Sequence, residues 1–284
     1  MTSSLEVAWA QQSVWSETAD KLKRRLQNGR RAALGLSIGG ALLSATAATV
    51  GLASALGKVA AFSGAVCVGL AGLAGNAVGP RTMRDWTRAR SVSEALKSVI
   101  YTSLAGYPPA DFDKVVRDID ADAADLQQYR AGVVPKQRPL PSVHDLQSYL
   151  ENRVFAQITV YYQRNARSLV RTLKRFRLIS MGLALLGLVL GVAAGTWEVD
   201  RLAGWVPVVT TVGTAVATHV AAERYSYMLV EYSRTADELQ RIRDRSGRIA
   251  SMTDEELVKH AENVISIQNE GWMAKLNEAE DSTP

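Results

Sequence analysis

The sequence predicts an all-α integral membrane protein with four transmembrane helices, arranged as two hairpins and extended by cytoplasmic amphipathic helices. Of the 284 residues, 47% are hydrophobic. They are concentrated in four blocks that carry almost no charge: Ala32–Gly57, Val59–Pro80, Leu178–Trp197 and Leu202–Ala222. An α-helix rises 1.5 Å per residue, so about 20 apolar residues cross a hydrocarbon core of about 30 Å, and each block is long enough. Four buried helices of a large soluble core are the alternative, but such helices rarely lack charge on every face.

Each of the four apolar blocks is flanked by many basic residues at one end and by few at the other. Arginine and lysine are abundant in the flanks at 21–31, 81–90, 164–177 and 224–245. The opposite connections carry charge only at Lys58 and within Glu198–Arg201, and the first of them is expected to turn at Gly57 and Lys58. This asymmetry predicts a multi-pass protein of the cell membrane with both termini and the middle segment in the cytoplasm. We attribute the net charge of +5 to contact with anionic lipid headgroups, at about 1 kcal/mol per basic residue, and expect no nucleic-acid partner.

The order amphipathic helix, hairpin, amphipathic helix occurs twice along the chain. Trp15 corresponds to Tyr162, and the pair Arg90-x3-Glu94 corresponds to Arg234-x3-Glu238, at an offset of about 144–147 residues. Two tandem repeats of one unit explain this order. We therefore expect three parts: a first two-span helical unit at 1–107, a cytoplasmic acidic helix with a proline-rich linker at 108–142, and a second two-span helical unit at 143–284.

The segment between the repeats is acidic and then rich in proline. Asp111–Tyr129 is typical of an acidic surface helix, and three prolines between 135 and 141 favour an extended stretch. The aspartates are compatible with a divalent cation, but a solvated helix is the better interpretation. Further along, Thr253–Glu256 has the pattern of a capping box that starts a last helix ending near Leu276.

The second repeat resembles a known family. Its residues follow the pattern Tyr149-x3-Arg153-x3-Gln157-x3-Tyr161-Tyr162-x3-Ala166, then a basic turn, a two-span hairpin, Arg234-x3-Glu238-Leu239 and finally Glu262-Asn263-x6-Glu270-x-Trp272. This pattern is similar to the SLATT family, the SMODS and SLOG-associating two-transmembrane effector domains, and the first repeat resembles it more loosely. The resemblance implies a pore-forming effector of prokaryotic conflict and nucleotide-signalling systems, with a cytoplasmic nucleotide-signalling partner. It implies no catalytic residue.

The sequence contains no constellation for catalysis or metal binding. Its three histidines, His144, His219 and His260, are not paired at ligand spacing, and its one cysteine, Cys67, lies inside the second span. The segment Gly51–Val59 lacks the glycine spacing and the Ser/Thr of a phosphate-binding loop. We therefore expect no enzyme activity, no cofactor and no metal site.

Small and hydroxyl-bearing residues mark the faces of the predicted spans. Gly187, Gly191 and Gly195 have the four-residue spacing of close helix packing in lipid. The candidates for lining a water-filled path are hydroxyl residues on the first and fourth spans: Ser37, Ser44, Thr210, Thr211, Thr214 and Thr218. The threonine stripe is equally compatible with hydroxyls that bond to their own helix backbone while the helix packs against a neighbour.

Two functional interpretations follow from these features. The leading one is a homo-oligomeric channel or pore for inorganic ions, gated from the cytoplasm, because a four-span chain without charged residues in its spans needs further copies to enclose a path. The alternative is a non-conducting membrane anchor or scaffold whose cytoplasmic helices recruit a signalling partner.

Overall fold

The computed structural model describes residues 2–197, 204–245 and 252–266, and within these ranges the chain is helical and contains no β-strand. The α-helices are α1 (Thr2–Val50), α2 (Ala55–Asn76), α3 (Pro80–Leu104), α4 (Phe112–Ala121), α5 (Gln127–Arg130), α6 (Leu146–Tyr149), α7 (Arg164–Trp197), α8 (Val206–Glu223), α9 (Tyr225–Arg245) and α10 (254–266). A 3-10 turn, Ala124–Leu126, precedes α5, and π-helical turns connect α6 to α7.

The start of the last helix has the predicted capping box. The Thr253 N–H donates to Glu256 Oε2 at 2.8 Å, and the Glu256 N–H donates to Thr253 Oγ1 at 3.3 Å. These two bonds satisfy backbone donors that the first turn of a helix leaves without partners. The predicted end near Leu276 lies outside the described residues.

Within the part of the chain that the structure describes, three helical stretches are long and apolar enough to cross a membrane: Ser4–Val50, Ala55–Leu104 and Leu146–Thr196. In Leu146–Thr196, no residue of the most apolar 18-residue stretch is buried, and large aliphatic side chains such as Leu185 and Val189 are exposed. A continuous surface of this kind is favourable in lipid and unfavourable in water. The chain is therefore an all-helical protein with candidate membrane spans, as the sequence predicted.

The fourth predicted span, Leu202–Ala222, falls on α8 and is not one of these three. Helix α8 has 18 residues, or about 27 Å at 1.5 Å per residue, which is slightly less than the hydrocarbon core. Its threonines and His219 lower its hydropathy, and Pro207 lies in its first turn. The count of four spans and their orientation stay predictions.

The chain packs as two compact units. We call the first the charged unit; it consists of Met1–Arg24, Pro80–Arg167 and Leu229–Pro284. The second, the apolar unit, consists of Arg25–Gly79 and Ser168–Met228. These packed units do not coincide with the predicted parts 1–107, 108–142 and 143–284. The predicted parts follow one another along the chain, whereas each packed unit contains segments of both repeats.

In the apolar unit the turn between α1 and α2 lies at Gly51–Ser54, so the expected turn at Gly57 and Lys58 is wrong. Gly51 has a φ of +83°, a conformation that glycine adopts without strain. Ser54 caps α2 by accepting from the Gly57 N–H at 3.0 Å. A Cβ on Gly57 would stand 2.0 Å from the Gly51 carbonyl oxygen, so this position requires glycine. A run without charge does not reveal where a helix ends, and this is why the sequence misplaced the turn.

Helices α1 and α2 approach each other closely through two further glycines. A Cβ on Gly40 would lie 2.8 Å from Val68 Cγ2 and 3.2 Å from the Gly64 carbonyl oxygen. A Cβ on Gly64 would lie 2.9 Å from Ser44 Oγ. Close backbone contact of this kind stabilises helix pairs in lipid, where van der Waals packing replaces the hydrophobic effect.

In the charged unit the segment 108–142 is docked. The predicted helix Asp111–Tyr129 is divided into α4, the 3-10 turn and α5. Asp120 Oδ1 accepts from Trp15 Nε1 at 2.8 Å, and the Tyr129 hydroxyl donates to Asp85 Oδ2 at 2.7 Å. The segment keeps an exposed acidic face, with Asp111, Asp113 and Asp118 exposed, while Asp120 and Tyr129 bind side chains of α1 and α3.

The proline-rich stretch lies along α1 in extended form. The Trp9 Nε1–H donates to the Pro139 carbonyl at 3.0 Å, and the Lys136 N–H donates to Ser13 Oγ at 3.0 Å. The Lys136 ammonium also lies 2.6 Å from Glu17. Backbone groups of an extended segment need such partners, since no helix or sheet satisfies them.

Candidate functional site

The helix that leads into α7 is wound as π turns over Leu150–Phe155 and Gln157–Gln163. In a π turn each N–H bonds five residues back, so the turn is wider than the 3.6 residues of an α-helix. A four-residue step exceeds a full α-helical turn by about 40° and falls short of a full π turn. Burial recurs every four residues along the segment: Leu150, Val154, Ile158 and Tyr162 are 6%, 0%, 1% and 2% exposed.

Arg153 lies on this segment and is paired in the interior of the charged unit. Its Nε and Nη2 atoms donate to the two carboxylate oxygens of Glu262 at 2.9 and 2.8 Å. The Tyr149 hydroxyl donates to Oε1 of the same carboxylate at 2.9 Å. Arg153 is 1% exposed and Glu262 is 5% exposed, and a bidentate guanidinium–carboxylate pair is the geometry that best offsets such desolvation. One glutamate of α10 thus binds the last residue of α6 and a residue four positions later on the π-wound segment.

A second buried carboxylate, Glu94 of α3, completes a group that we call the charge cluster: Arg90, Glu94, Lys97, Arg153 and Glu262. Arg90 is 2.8 Å and Lys97 is 4.0 Å from Glu94 Oε1, and Arg153 Nη2 is 3.8 Å from Glu94 Oε2. Burial favours a higher pKa for Glu94, but the charges of Arg90, Lys97 and Arg153 outweigh burial and lower that pKa to about 2. Burial lowers the pKa of Lys97 to about 8, against the opposing charge of Glu94. With three cations and two carboxylates, the fully ionised cluster holds one excess positive charge.

Aromatic rings complete the surroundings of Arg153. Its guanidinium lies 4.8 Å from the Tyr101 ring centroid, and Tyr101 meets Trp9 edge to face at 6.3 Å. Arg138 lies over the Trp9 ring at 3.6 Å and donates to Gln12. Among the residues that the structure describes, Arg153 Nη1 is buried and has no hydrogen-bond partner. The π face of Tyr101 is therefore what stabilises this part of the cation.

A group of tyrosines holds the other end of the π-wound segment. The Tyr161 and Tyr162 rings are 5.1 Å apart, and they lie 5.8 and 5.9 Å from the ring of Tyr232 on α9. Arg90 of the charge cluster lies 5.8 Å from the Tyr161 ring. Burial raises the pKa of Tyr162 and of Tyr232, and the neighbouring Tyr161 raises both further, so these hydroxyls are neutral at physiological pH. The segment is thus anchored at its start by Glu262 and at its end by this tyrosine group.

The ions of the charge cluster are paired with one another in the interior of the charged unit. Within 2–197, 204–245 and 252–266, no group of three or more His, Cys, Asp or Glu side chains is placed to hold a metal ion. A groove of about 400 Å³ on the charged unit is lined by Gln147, Leu150, Glu151, Phe155 and Arg243.

The candidate pore residues all lie in the apolar unit. Thr210, Thr211 and Thr214 are exposed and donate to the carbonyls four residues earlier at 3.0, 2.8 and 3.0 Å, and Thr218 is also exposed. Ser44 lies at the contact between α1 and α2, opposite Gly64. Ser37 is half-buried on α1.

The predicted packing glycines divide into two groups. A Cβ on Gly187 would meet Val209 of α8 at 3.6 Å, an ordinary contact. Gly191 and Gly195 have open space at that position within the described chain. Helices α1 and α2 instead approach each other closely at Gly40 and Gly64, two glycines that the sequence did not single out.

Two family models match the chain. Residues 149–272 match SMODS and SLOG-associating 2TM effector domain 1. The chain carries a SLATT domain. Residues 12–107 match a protein of unknown function, DUF4231, so the SLATT match and this second match fall on the two predicted repeats. No curated protein and no solved structure matches the chain.

The SLATT match begins at Tyr149 and extends past Glu262. It therefore contains both partners of the ion pair between Arg153 and Glu262, which we call the central ion pair. The sequence singled out Tyr149, Arg153 and Glu262 as parts of a pattern but gave them no role, and it did not mark Lys97. The signal was present, because Arg153 and Glu262 each occupy an otherwise apolar helix face, where a charge requires a partner.

Proposed function

We propose that the chain is a homo-oligomeric membrane channel or pore-forming effector that is gated from the cytoplasmic side and conducts inorganic ions. The description of the SLATT family as a two-transmembrane effector domain supports the membrane effector role. In this proposal both termini and the segment 108–142 lie in the cytoplasm, and the basic flanks contact anionic headgroups.

The main support for the proposal is a difference between the residue types that are exposed on the helices of the apolar unit. Large exposed aliphatic or aromatic residues are frequent on α2 and α7, including Leu56, Phe62, Leu73, Leu185 and Leu188. Helix α8 has none: its exposed positions are Pro207, Thr210, Thr211, Thr214, Ala217, Thr218, Ala221 and Ala222. At 100° per residue these eight positions form one face about 140° wide.

Such a face is suited to water or to another helix, and less to lipid. Small residues give lipid little contact area, whereas they let a second helix approach. Thr210, Thr211 and Thr214 donate to their own backbone, but each hydroxyl oxygen keeps lone pairs that can accept from water or contact a cation. Copies of the chain arranged with α7 toward lipid and α8 inward would line a path with these oxygens.

Thiol labelling combined with flux tests this arrangement. Cys67 is first replaced by alanine, and Thr211, Thr214 and Thr218 are changed singly to cysteine in protein reconstituted into liposomes. We expect each thiol to react with a small water-soluble reagent and the reaction to reduce ion flux, because the label narrows the path.

Val208 and Val216 are the matched control positions, since both are buried on the opposite side of α8. Cysteines there should stay unreactive. Equal reactivity around the whole helix, or unlabelled protein that passes no ions, would refute the pore.

The alternative function is a non-conducting scaffold that recruits a cytoplasmic partner. The groove on the charged unit supports it, because Phe155 is 45% exposed there with Arg243 5.0 Å from its ring. Absence of flux together with loss of partner recruitment in Phe155→Ser would favour the scaffold.

A further inference from the structure

Helices α8 and α9 are separated by a single residue, Arg224. It has a φ of +49° and a ψ of 36°, which is the left-handed helical conformation. Its N–H donates to the Ala221 carbonyl at 3.2 Å, and helical bonding resumes where the Met228 N–H donates to the Arg224 carbonyl at 3.0 Å. Within the part of the chain that the structure describes, no other residue apart from glycine has a positive φ. A left-handed residue ends the helix before it, so α8 and α9 meet at a bend.

The local sequence at the bend favours a continuous helix. Residues 221–224 are Ala-Ala-Glu-Arg, which are among the strongest helix formers, and no glycine or proline occurs from Thr214 to Arg245. Sharp changes of helix direction usually fall at those two residue types. Arginine is strained in the left-handed conformation because its Cβ approaches the following carbonyl oxygen. Such strain persists only where surrounding contacts impose it.

Two contacts from other helices hold the two sides of the bend. Glu223, the last residue of α8, lies 3.4 Å from Arg30 of α1, and these side chains are only 12% and 18% exposed. Tyr225, the first residue of α9, stacks on Phe176 of α7 with the ring centroids 5.9 Å apart and the planes at 20°. The same Phe176 ring lies 5.8 Å from the ring of His219, about one turn before the end of α8. These residues all belong to the apolar unit.

The contacts of Phe176 match the bent arrangement better than a continuous helix. In one α-helix, His219 and Tyr225 would be separated by about 9 Å along the axis and about 120° around it. Rings at the surface of a helix about 10–12 Å in diameter would then lie about 13 Å apart. A single ring that lies within 6 Å of both requires them to be less than about 12 Å apart, so the bend favours the shared contact.

We infer that Arg224 is a joint between two states of one helix. In the bent state that the structure describes, the Phe176–Tyr225 stack and the Arg30–Glu223 ion pair outweigh the backbone strain. When these contacts are released, Arg224 takes the right-handed conformation and α8 and α9 form one helix from Val206 to Arg245. The joint lies at the end of the helix that carries the candidate pore face. Its consequence for conduction rests on the proposed function, whereas the change of backbone conformation does not.

A distance measured across the joint separates the two states. Nitroxide labels are attached to Thr211→Cys and Ser233→Cys, both exposed positions, in the full-length chain with Cys67→Ala as background. In one continuous helix these residues would be about 33 Å apart along the axis, and a bend between them shortens the distance. Double electron–electron resonance is recorded in lipid nanodiscs, with labelled chain diluted by unlabelled chain so that only distances within one chain contribute.

Substitutions at the two contacts should shift the population. Phe176→Leu removes the ring stack and Glu223→Gln removes the ion pair, so we expect each to raise the ratio of long to short distances by roughly twofold to tenfold. Arg224→Gly should lower that ratio about tenfold, because glycine is unstrained in the left-handed conformation and unfavourable inside a helix. The double variant of Phe176→Leu with Arg224→Gly should therefore regain the short distance.

The double variant distinguishes a joint from general loosening of the apolar unit, since glycine would not reverse a loss of packing. The control is Phe62→Leu on α2, where the ring is 73% exposed and the distances should not change. An unchanged ratio in both contact variants, or no reversal by Arg224→Gly, overturns the joint. The measurement needs no ion flux, so the joint and the pore can fail separately.

Discussion

Removing the two partners of the central ion pair singly and together should reveal how the charge cluster stabilises the charged unit. The substitutions are Arg153→Met and Glu262→Gln, which keep approximate size while removing one charge each. Breaking a buried ion pair by removing one partner typically costs about 3–5 kcal/mol, because the other charge is left uncompensated.

The two single substitutions should not cost the same. Without Arg153, the Glu262 carboxylate keeps the 2.9 Å hydrogen bond from the Tyr149 hydroxyl but loses its bidentate cation, so we expect a loss of about 4 kcal/mol. Without Glu262, Arg153 retains Glu94 at 3.8 Å and the Tyr101 ring at 4.8 Å, so we expect about 2–3 kcal/mol. The double substitution should cost about 2 kcal/mol less than the sum of the two single losses.

The free energy of unfolding can be measured by urea titration of the full-length chain in detergent micelles. Trp9 and Trp15 are buried in the charged unit, so tryptophan fluorescence reports on it. The control is Glu255→Gln, whose exposed partner Lys259 is 2.6 Å away; an exposed pair should change stability by less than about 0.5 kcal/mol. Additive single and double losses, or a larger cost for Glu262→Gln than for Arg153→Met, would refute the reasoning.

Two further predictions concern protons and glycines. Since the pKa of Glu94 is lowered to about 2, the stability it contributes is complete above the unfolded value near 4.5 and is lost as the pH falls from there to about 2. Urea titrations from pH 7 to pH 3 should show about 2 kcal/mol of this loss, and Glu94→Gln should reduce the dependence of the unfolding free energy on pH. Gly40→Ile should destabilise the α1–α2 pair within one chain, because a Cβ there already meets Val68 and Gly64. Gly191→Ile should leave the folded chain intact but reduce its association in detergent, measured by light scattering, and unchanged association would place the interface elsewhere.

The sequence predicted the helical class well because its evidence is local. The charge-free block Leu178–Trp197 lies entirely within α7. The predicted fourth span covers most of α8, but hydropathy alone could not show that the helix begins at Val206, after Trp205. The capping box at Thr253–Glu256 was also readable, because it depends on two residues three positions apart.

The site was less accessible to sequence reasoning because its contacts are distant along the chain. Arg153 and Glu262 are 109 positions apart, and no local pattern indicates that they meet. The π winding had no distinct local signal, because the four-residue recurrence of apolar residues from Leu150 to Tyr162 is close enough to an α-helical period to be taken for one. The docking of Asp120 on Trp15 was missed because an acidic helix was assumed to face solvent.

The charge cluster also explains how two related repeats came to pack differently. Arg90 and Glu94 of the first repeat correspond to Arg234 and Glu238 of the second. Glu94 is buried and lies within 4.0 Å of three cations, whereas Glu238 is half-buried and its ion pair is with Arg241 on the same helix. Burying a carboxylate is costly unless cations surround it, so the packing that places Glu94 beside Arg153 is favoured over one that would bury either group alone. The same sequence motif thus specifies a core contact in one repeat and a surface pair in the other, and the asymmetry arises from which of them meets Arg153.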